Sequence, residues 1–183
     1  MRATRQQVLD AATARYLAAE RVDVVAIAAE LGVGRATIYR WFGSREGLLG
    51  AVLVRTAEEL VASARRRARG TGAARLLDTF DRINRGLADS EALRWFLREE
   101  RVAALRMVAS GAGPVQPAMV AMIGAIVDEE VAAGRYKPPM DTGTLAYAIV
   151  RLAEAFLFND AVADLRGDVE RLRAVEAALL GIG

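Results

Sequence analysis

Residues 23–45 contain two short amphipathic segments joined by a glycine, and this pattern constrains the fold of the chain more than any other. The apolar positions of the first segment recur at helical spacing and stop at Gly32, a residue type that readily takes the positive φ that ends a helix. The second segment has an apolar side of its own. These apolar positions are Val24, Ile27, Ala28 and Leu31 in the first segment and Val33, Ile38 and Phe42 in the second. The pattern predicts two helices that cross at a tight turn.

The opposite side of the second segment carries guanidinium, hydroxyl, aromatic and small side chains. They belong to Arg35, Ala36, Thr37, Tyr39 and Arg40. Groups of this kind suit base edges and phosphates in the major groove of double-stranded DNA. The alternative is a helical hairpin whose arginines are only solvated, because two helices joined by a glycine are common in α proteins.

Cysteine and histidine are both absent from the 183 residues. The chain therefore has no thiolate nucleophile and no zinc cluster of cysteines, and it lacks histidine, the commonest general base. We expect no metal site, no cofactor and no enzymatic activity. A helical enzyme that uses Glu99, Glu100 and Glu154 as acid and base is the alternative from another class, but these residues form no recognisable catalytic motif.

Charge is distributed unevenly along the chain. Residues 1–70 hold 12 arginines and 7 acidic residues, whereas residues 71–183 hold 13 basic and 16 acidic residues. The basic part contains the two-helix pattern, as an approach to a polyanion requires. Four of its arginines lie within residues 65–69, where cations also suit the C-terminal end of a helix, so a solvated helix end is the alternative for that cluster.

Hydrophobic periodicity predicts an all-α protein of about nine helices. Three helices fall within residues 4–42, and a long fourth helix begins after Ser44. Five more are expected at about 73–88, 90–109, 115–134, 142–163 and 168–180. The N-terminus leads into a mixed polar and apolar helix rather than a secretory signal, and the apolar stretch 145–163 contains charged residues, so we expect a cytoplasmic protein without a membrane anchor.

The two-helix region closely resembles the N-terminal domain of the TetR family of transcriptional repressors. The matching positions are Ile27, Ala28, Gly32, Val33, Thr37, Ile38, Tyr39, Phe42, Ser44, Arg45 and Leu48. The resemblance implies a DNA-binding domain over residues 1–47, with Tyr39 and Arg45 on phosphates, and a ligand-binding and dimerisation domain over residues 48–183. The DNA-binding residues predicted in this way are Gly34, Arg35, Ala36, Thr37, Tyr39, Arg40, Trp41 and Arg45.

The chain departs from the TetR pattern at three positions of this region. Asp23 stands where the family usually has Thr, and an aspartate is a good N-cap for the first helix of the pair. Gly34 replaces a Ser whose hydroxyl could cap the second helix, and Trp41 stands where His or Tyr is commoner.

Apolar residues of the later helices coincide with positions that surround an inducer cavity in the TetR family. The ligand-binding residues predicted from this resemblance are Trp95, Phe96, Met107, Met119, Met122, Tyr147, Glu154, Phe156 and Asn159. Met side chains adapt to irregular ligands, but the same apolar residues at helical spacing are also typical of an ordinary core. Glu154 lies among apolar residues, so we expect it either to contact a ligand or to form an ion pair with Arg151.

The C-terminal domain also resembles that of QsdR-type TetR regulators. The similar stretches are residues 93–100, 115–117, 130–141 and 145–158. Regulators of that type control lactone-degrading operons, so the resemblance implies a small apolar inducer, with an acyl-homoserine lactone or another γ-lactone as the leading candidate. A ligand-independent or activating DNA-binding protein with a solid apolar core is the alternative function.

The TetR resemblance further implies a homodimer formed through the last two helices. The second-to-last helix is apolar nearly all round, which a small monomer cannot hide. The contacts expected on the final helix are Leu172, Val175, Leu179 and Leu180. The alternative is that both helices belong to the core of a single chain.

Overall fold

The computed structural model of the protein describes residues 3–108, 113–158 and 168–182, and all regular structure in these segments is helical. These segments contain ten helices, namely α1 (Arg5–Leu17), α2 (Val24–Glu30), α3 (Arg35–Phe42), α4 (Arg45–Arg67), α5 (Gly72–Asp89), α6 (Glu91–Glu99), α7 (Arg101–Val108), α8 (Val115–Ala132), α9 (Thr142–Phe158) and α10 (Val169–Leu179). The predicted all-α fold is confirmed.

One predicted helix is two helices in the structure. Residues 90–109 were expected to form a single helix, but α6 ends at Glu99 and α7 starts at Arg101. Residues 91–108 contain neither glycine nor proline, so the sequence carries no breaker at this point. The residue at the break is Glu100, whose carboxylate accepts hydrogen bonds from Arg45, the first residue of α4.

Side-chain caps fix the first residues of α1, α2 and α4. Thr4 forms a reciprocal capping box with Gln7 at the start of α1. The carboxylate of Asp23 accepts a hydrogen bond from Val25 N at 2.7 Å at the start of α2. Ser44 Oγ accepts from Gly47 N at 3.0 Å at the start of α4. The predicted capping roles of Asp23 and Ser44 are confirmed, and both side chains satisfy backbone donors that a helix leaves unpaired at its first turn.

The chain divides into two compact units. Unit 1 comprises Met1–Thr56 and Glu91–Val115, and unit 2 comprises Ala57–Ser90 and Gln116–Gly183. Residues 91–115 therefore belong to the unit that contains the two-helix pattern. This division describes packing, whereas the predicted boundary between residues 47 and 48 concerns function and stays a prediction.

Unit 1 is built around α1, which packs against α2, α3 and α6. Val8, Ala12, Ile27 and Ile38 have no accessible surface in its core. The rings of Tyr16 on α1 and Phe96 on α6 meet edge to face, with centroids 6.3 Å apart and an interplanar angle of 80°. Burial of these side chains holds α3 in a fixed position on the unit.

Unit 2 has its own apolar core, in which α10 packs against α5 and α9. Its buried residues in the described part of the chain include Val61, Ala64, Leu76, Leu77, Phe80, Ile83, Ile123, Ile126, Val127, Leu145, Ala146, Ile149, Val150 and Leu180. In the described segments, none of the helices combines the length and the hydropathy that crossing a bilayer requires.

Candidate nucleic-acid interface

The turn between α2 and α3 has the geometry that its glycine predicts. Gly32 adopts φ +61°, in the left-handed region that favours glycine. Gly34 follows as the N-cap of α3 with φ −68° and, lacking a side chain, makes no capping bond. Gly43, at φ +78°, ends the helix. The turn and the completely buried side chain of Ile38 together determine which face of α3 points outward.

The outer face of α3 carries the residues that were predicted to meet DNA. Arg35, Ala36, Tyr39 and Arg40 are exposed, and their spacing places them on one side of the helix. Gly34 is exposed just before the helix, while Thr37 and Trp41 are half-buried at the edges of this face. The structure thus groups two guanidiniums and a phenol on one surface, which can donate hydrogen bonds to base edges and phosphates.

A cation–π contact supports the C-terminal end of α3. The guanidinium carbon of Arg5, the first residue of α1, lies 4.6 Å from the centroid of the Phe42 ring. The sequence pattern assigned Phe42 to the buried side of the helix but gave no sign of this partner. The contact ties the N-terminus of α1 to the last turn of α3.

Arg45, which was predicted to contact a phosphate, is engaged within unit 1. Its Nη1 and Nη2 donate to the two carboxylate oxygens of Glu100 at 2.7 and 2.6 Å, and its Nε donates to the carbonyl oxygen of Val22 at 2.9 Å. The guanidinium lowers the pKa of Glu100 below its usual range, so this carboxylate is ionised at neutral pH. Sequence reasoning missed this pair, because the two residues are 55 positions apart and on different helices.

Three predicted ligand-binding residues lie in unit 1. Phe96 and Met107 are buried, and Phe96 packs against Tyr16 as part of the core. Trp95 is half-buried on α6. The packing of Phe96 matches the alternative of an ordinary core. Contact of these three residues with a ligand stays a prediction.

The other predicted ligand-binding residues belong to the second part of the chain and differ in exposure. Phe156 is buried, and Met119 and Met122 are half-buried against the core of unit 2. Tyr147 is 52% exposed on the outer side of α9, a position that favours contact with another molecule at the surface over an enclosed ligand. Asn159 lies outside the described residues.

Glu154 is a buried carboxylate with two partners. Gln116 Nε2 lies 2.9 and 3.0 Å from its two oxygens, and Arg151 Nη1 donates to it at 2.7 Å. The ion pair with Arg151 was one of the two predicted alternatives. Burial raises the pKa of Glu154 above its usual value, although both partners act in the opposite direction. Gln116, on α8, was not identified from the sequence, because amphipathic spacing relates residues on one helix only.

Part of the apolar surface of the final helix, α10, is buried within unit 2. Leu172 and Leu180, which were expected to contact a second copy, have exposed fractions of 0% and 2% in the single chain. That expectation is wrong for these two residues, because both are already buried within the single chain, and Leu180 belongs to the apolar core of unit 2. Val175 is 41% exposed and Leu179 is half-buried, so Val175 is the more exposed of these two apolar side chains.

Comparison with known proteins assigns the chain to a family. A family model described as "Bacterial regulatory proteins, tetR family" matches residues 9–52. A second, described as "Tetracyclin repressor-like, C-terminal domain", matches residues 71–181. The chain belongs to the TetR family of bacterial transcriptional regulators. Its neighbours are regulators and not enzymes, and the described carboxylates of the enzyme alternative, Glu99, Glu100 and Glu154, are all hydrogen-bonded to arginine.

Solved structures are similar to this TetR-family protein over nearly the whole of the chain. The TetR-family transcriptional repressor QsdR from R. erythropolis is 32% identical, with a TM-score of 0.86 over 97% of this chain and 94% of that chain. AlkX from Dietzia sp. strain DQ12-45-1b is 21% identical with a TM-score of 0.67, covering 98% of this chain and 96% of its own. FadR from Bacillus subtilis, solved with stearoyl-CoA, is 17% identical with a TM-score of 0.53, covering 98% and 100%. The last two share the fold alone. No curated protein matches the sequence.

Proposed function

We propose that this TetR-family regulator is a homodimeric repressor that binds a palindromic DNA operator through α3 and is released by a small apolar inducer. The observation that carries the proposal is the orientation of α3. Ile38 is completely buried, while Arg35, Tyr39 and Arg40 share the exposed face. A helix fixed in this way can enter a major groove as a rigid element, with its arginines placed for bidentate contacts to guanine.

Contacts with the DNA backbone complete the proposed interface. Tyr39 and Arg45 occupy the positions that contact phosphates in the TetR family, and Tyr39 exposes 42% of its surface. Phosphate contacts set orientation and salt dependence, whereas the arginines of α3 would read sequence. Gly34, Ala36, Thr37 and Trp41 belong to or border the same surface, and the small Gly34 and Ala36 would let the backbone of the helix approach the groove closely.

A second copy would cover the outer faces of α9 and α10. Tyr147 and Ala155 are exposed on α9, and Ala174, Val175 and Ala178 are exposed on α10. Alanine at several of these positions permits close approach of helices, and the aromatic and valine side chains supply apolar area. Leu179 would lie at the edge of this surface.

The inducer is proposed to be a lactone with an apolar tail. The support is the similarity to QsdR, which extends over nearly the full chain, together with the buried polar pair of Gln116 and Glu154. Met119 lies one turn after Gln116 on α8 and is half-buried, as an adaptable apolar lining requires. A ligand-independent DNA-binding protein is the second candidate, and the deep burial of Phe96 and Met107 in the core of unit 1 favours it.

The proposal predicts a defined sequence preference. Wild-type protein should enrich, from a library of random double-stranded DNA, a palindrome whose half-sites lie about 34–36 Å apart or a multiple of that distance. Arg40→Ala should weaken binding to the enriched site by about 1–3 kcal/mol and binding to unrelated DNA less, measured by fluorescence anisotropy. Arg66→Ala, at an exposed position near the end of α4, is the matched control for loss of one positive charge.

The same binding assay tests the proposed inducer. A series of lactones with increasing tail length should displace the protein from the enriched site, and a tenfold loss of affinity corresponds to about 1.4 kcal/mol of coupling. Failure to enrich any sequence would contradict operator recognition. Enrichment without displacement by any lactone would leave the ligand-independent alternative.

A further inference from the structure

The guanidinium of Arg45 is held on two sides within unit 1. Glu100 binds both terminal nitrogens in a bidentate arrangement, and the carbonyl of Val22 accepts from Nε. The side chains of Arg45 and Glu100 are only 21% and 17% exposed, so solvent screens this pair less than a surface ion pair. The hydrogen bonds to Glu100 raise the pKa of Arg45, and the negative charges of Glu46 and Asp23 raise it further.

This environment is unusual for a residue proposed to bind a phosphate. Glu100 joins α6 to α7, at the point where the helix is broken, and Arg45 is the first residue of α4. Carboxylate and phosphate oxygens compete for the same fork of guanidinium donors. A phosphate that bound Arg45 while Glu100 stayed in place would bring two anions onto one cation, a close approach of like charges that is unfavourable.

We propose that Glu100 is an internal competitor of DNA for Arg45, so that the position of the α6–α7 segment regulates affinity for the DNA backbone. The inference rests on the phosphate contact assigned to Arg45 under the proposed function. When Glu100 holds the guanidinium, Arg45 is unavailable to DNA; when the α6–α7 junction moves away from α4, Arg45 is released to a phosphate. The pair therefore connects helix position within unit 1 to DNA binding.

A double-mutant cycle separates competition from a general effect of charge. Glu100→Gln keeps the size of the side chain but removes its charge, and Glu99→Gln removes the same charge from the neighbouring residue, which pairs with Arg98 at the surface. Each substitution is made in the wild type and in Arg45→Ala, and binding to a random-sequence duplex is measured by fluorescence anisotropy across a salt series. A random duplex suffices because phosphate contacts do not depend on sequence.

Competition predicts that Glu100→Gln tightens DNA binding about three- to tenfold more than Glu99→Gln does. A change of this size is the effect expected for loss of a partly buried ion pair. In the Arg45→Ala background this difference should disappear. Equal affinities of the two Gln variants, or weaker binding by Glu100→Gln, would overturn the proposal. Arg45→Ala alone should lower the salt slope by about 0.9.

The salt slope of Arg45→Ala distinguishes failure of the proposed phosphate contact from failure of the proposed competition by Glu100. An unchanged salt slope would show that Arg45 makes no phosphate contact, so the proposed competition would fail as well. The assignment of α3 to the major groove would stand. A reduced slope without tightening by Glu100→Gln would overturn the competition alone.

A measurement on the unmodified chain avoids any effect of the substitutions on folding. Release of Glu100 on DNA binding predicts faster amide hydrogen exchange in peptides that cover residues 98–104 when a duplex is added. Unchanged or slower exchange in these peptides, with DNA bound, would contradict the proposal.

Discussion

Glu176 is a carboxylate with no accessible surface, on α10 where this helix packs against α5. Asn84 Nδ2 on α5 lies 3.0 and 3.1 Å from its two oxygens. Burial raises the pKa of Glu176 to about 7; nearby Asp81 acts in the same direction, and Arg173 and the Asn84 hydrogen bond oppose it. A carboxyl group that is neutral when buried avoids most of the cost of removing a charge from water.

This pKa predicts a stability that falls as pH rises. The native state retains a proton on Glu176 up to about pH 7, whereas in the unfolded chain Glu176 loses its proton near the usual glutamate pKa of 4.5. The resulting contribution is present below pH 4.5 and is lost as pH rises through 7, amounting to about 3 kcal/mol. Glu176→Gln should therefore flatten the dependence of the free energy of unfolding between pH 5 and 8, measured by urea denaturation.

Glu170→Gln is the control for this pH profile, because Glu170 lies on the same helix with its side chain 73% exposed and should keep the wild-type slope. The same slope in Glu176→Gln as in the wild type would show that Glu176 is ionised in the native state.

Individual side chains were predictable from the sequence where their role is local. Asp23 and Ser44 were expected to cap helices, and each meets a backbone N–H within three residues. Arg45 and Glu176 were not assigned their partners, because Glu100 and Asn84 are 55 and 92 positions away. Periodicity predicts which side of a helix is buried, but tertiary packing selects the residue it meets.

The turn between α2 and α3 depends on the backbone of Gly32. A Cβ at this position would meet no atom within 4 Å, so a substitution there is opposed by the positive φ of +61° and not by crowding. Gly32→Ala should lower the free energy of unfolding by about 1 kcal/mol, measured by thermal denaturation. Any distortion of the turn by this substitution should also weaken DNA binding, because the turn orients α3.

Gly34→Ser is the matched substitution for this turn. Gly34 has a negative φ of −68° and already occupies the N-cap of α3, so a serine hydroxyl should leave stability unchanged or raise it by a few tenths of a kcal/mol. Equal destabilisation by Gly32→Ala and Gly34→Ser would show that space, and not backbone conformation, constrains the turn.

Helix positions followed largely from periodicity and caps, with one informative failure. The break between α6 and α7 falls at Glu100, in a stretch that contains no glycine or proline. A local pattern has no signal for such a break. The interaction of Glu100 with Arg45 is tertiary, and this kind of contact can override helix propensity.

The grouping of helices was harder to predict than their existence. Segment 91–115 packs with the N-terminal residues through α6 on α1, a contact between Tyr16 and Phe96 that joins residues 80 positions apart. The predicted ligand-binding and dimerisation domain over residues 48–183 concerns function and stays a prediction, whereas the two units describe packing. Amphipathic faces do not specify which partner covers them, so long-range grouping could not be read from periodicity.

The dimer interface, like the grouping of the helices, could not be predicted from periodicity alone. The sequence indicated that α9 and α10 carry more apolar surface than one chain hides, but it did not separate core from interface. Leu172 and Leu180 are buried in the single chain, whereas Val175 is 41% exposed. Val175 is therefore the more informative position for testing the proposed dimer, because a substitution there leaves the core of the unit intact.

Sedimentation of Val175→Arg, with and without an enriched operator duplex, tests the proposed dimeric reading of DNA most directly. An arginine on a twofold interface would place two like charges in apolar surroundings, so the variant should sediment as a monomer and bind the palindrome more than about tenfold less tightly. Val102→Arg makes the same change at a residue that is 73% exposed on α7 and should remain dimeric with wild-type affinity. A Val175→Arg variant that stays dimeric, or a monomer that binds the palindrome as tightly as the wild type, would contradict the proposal.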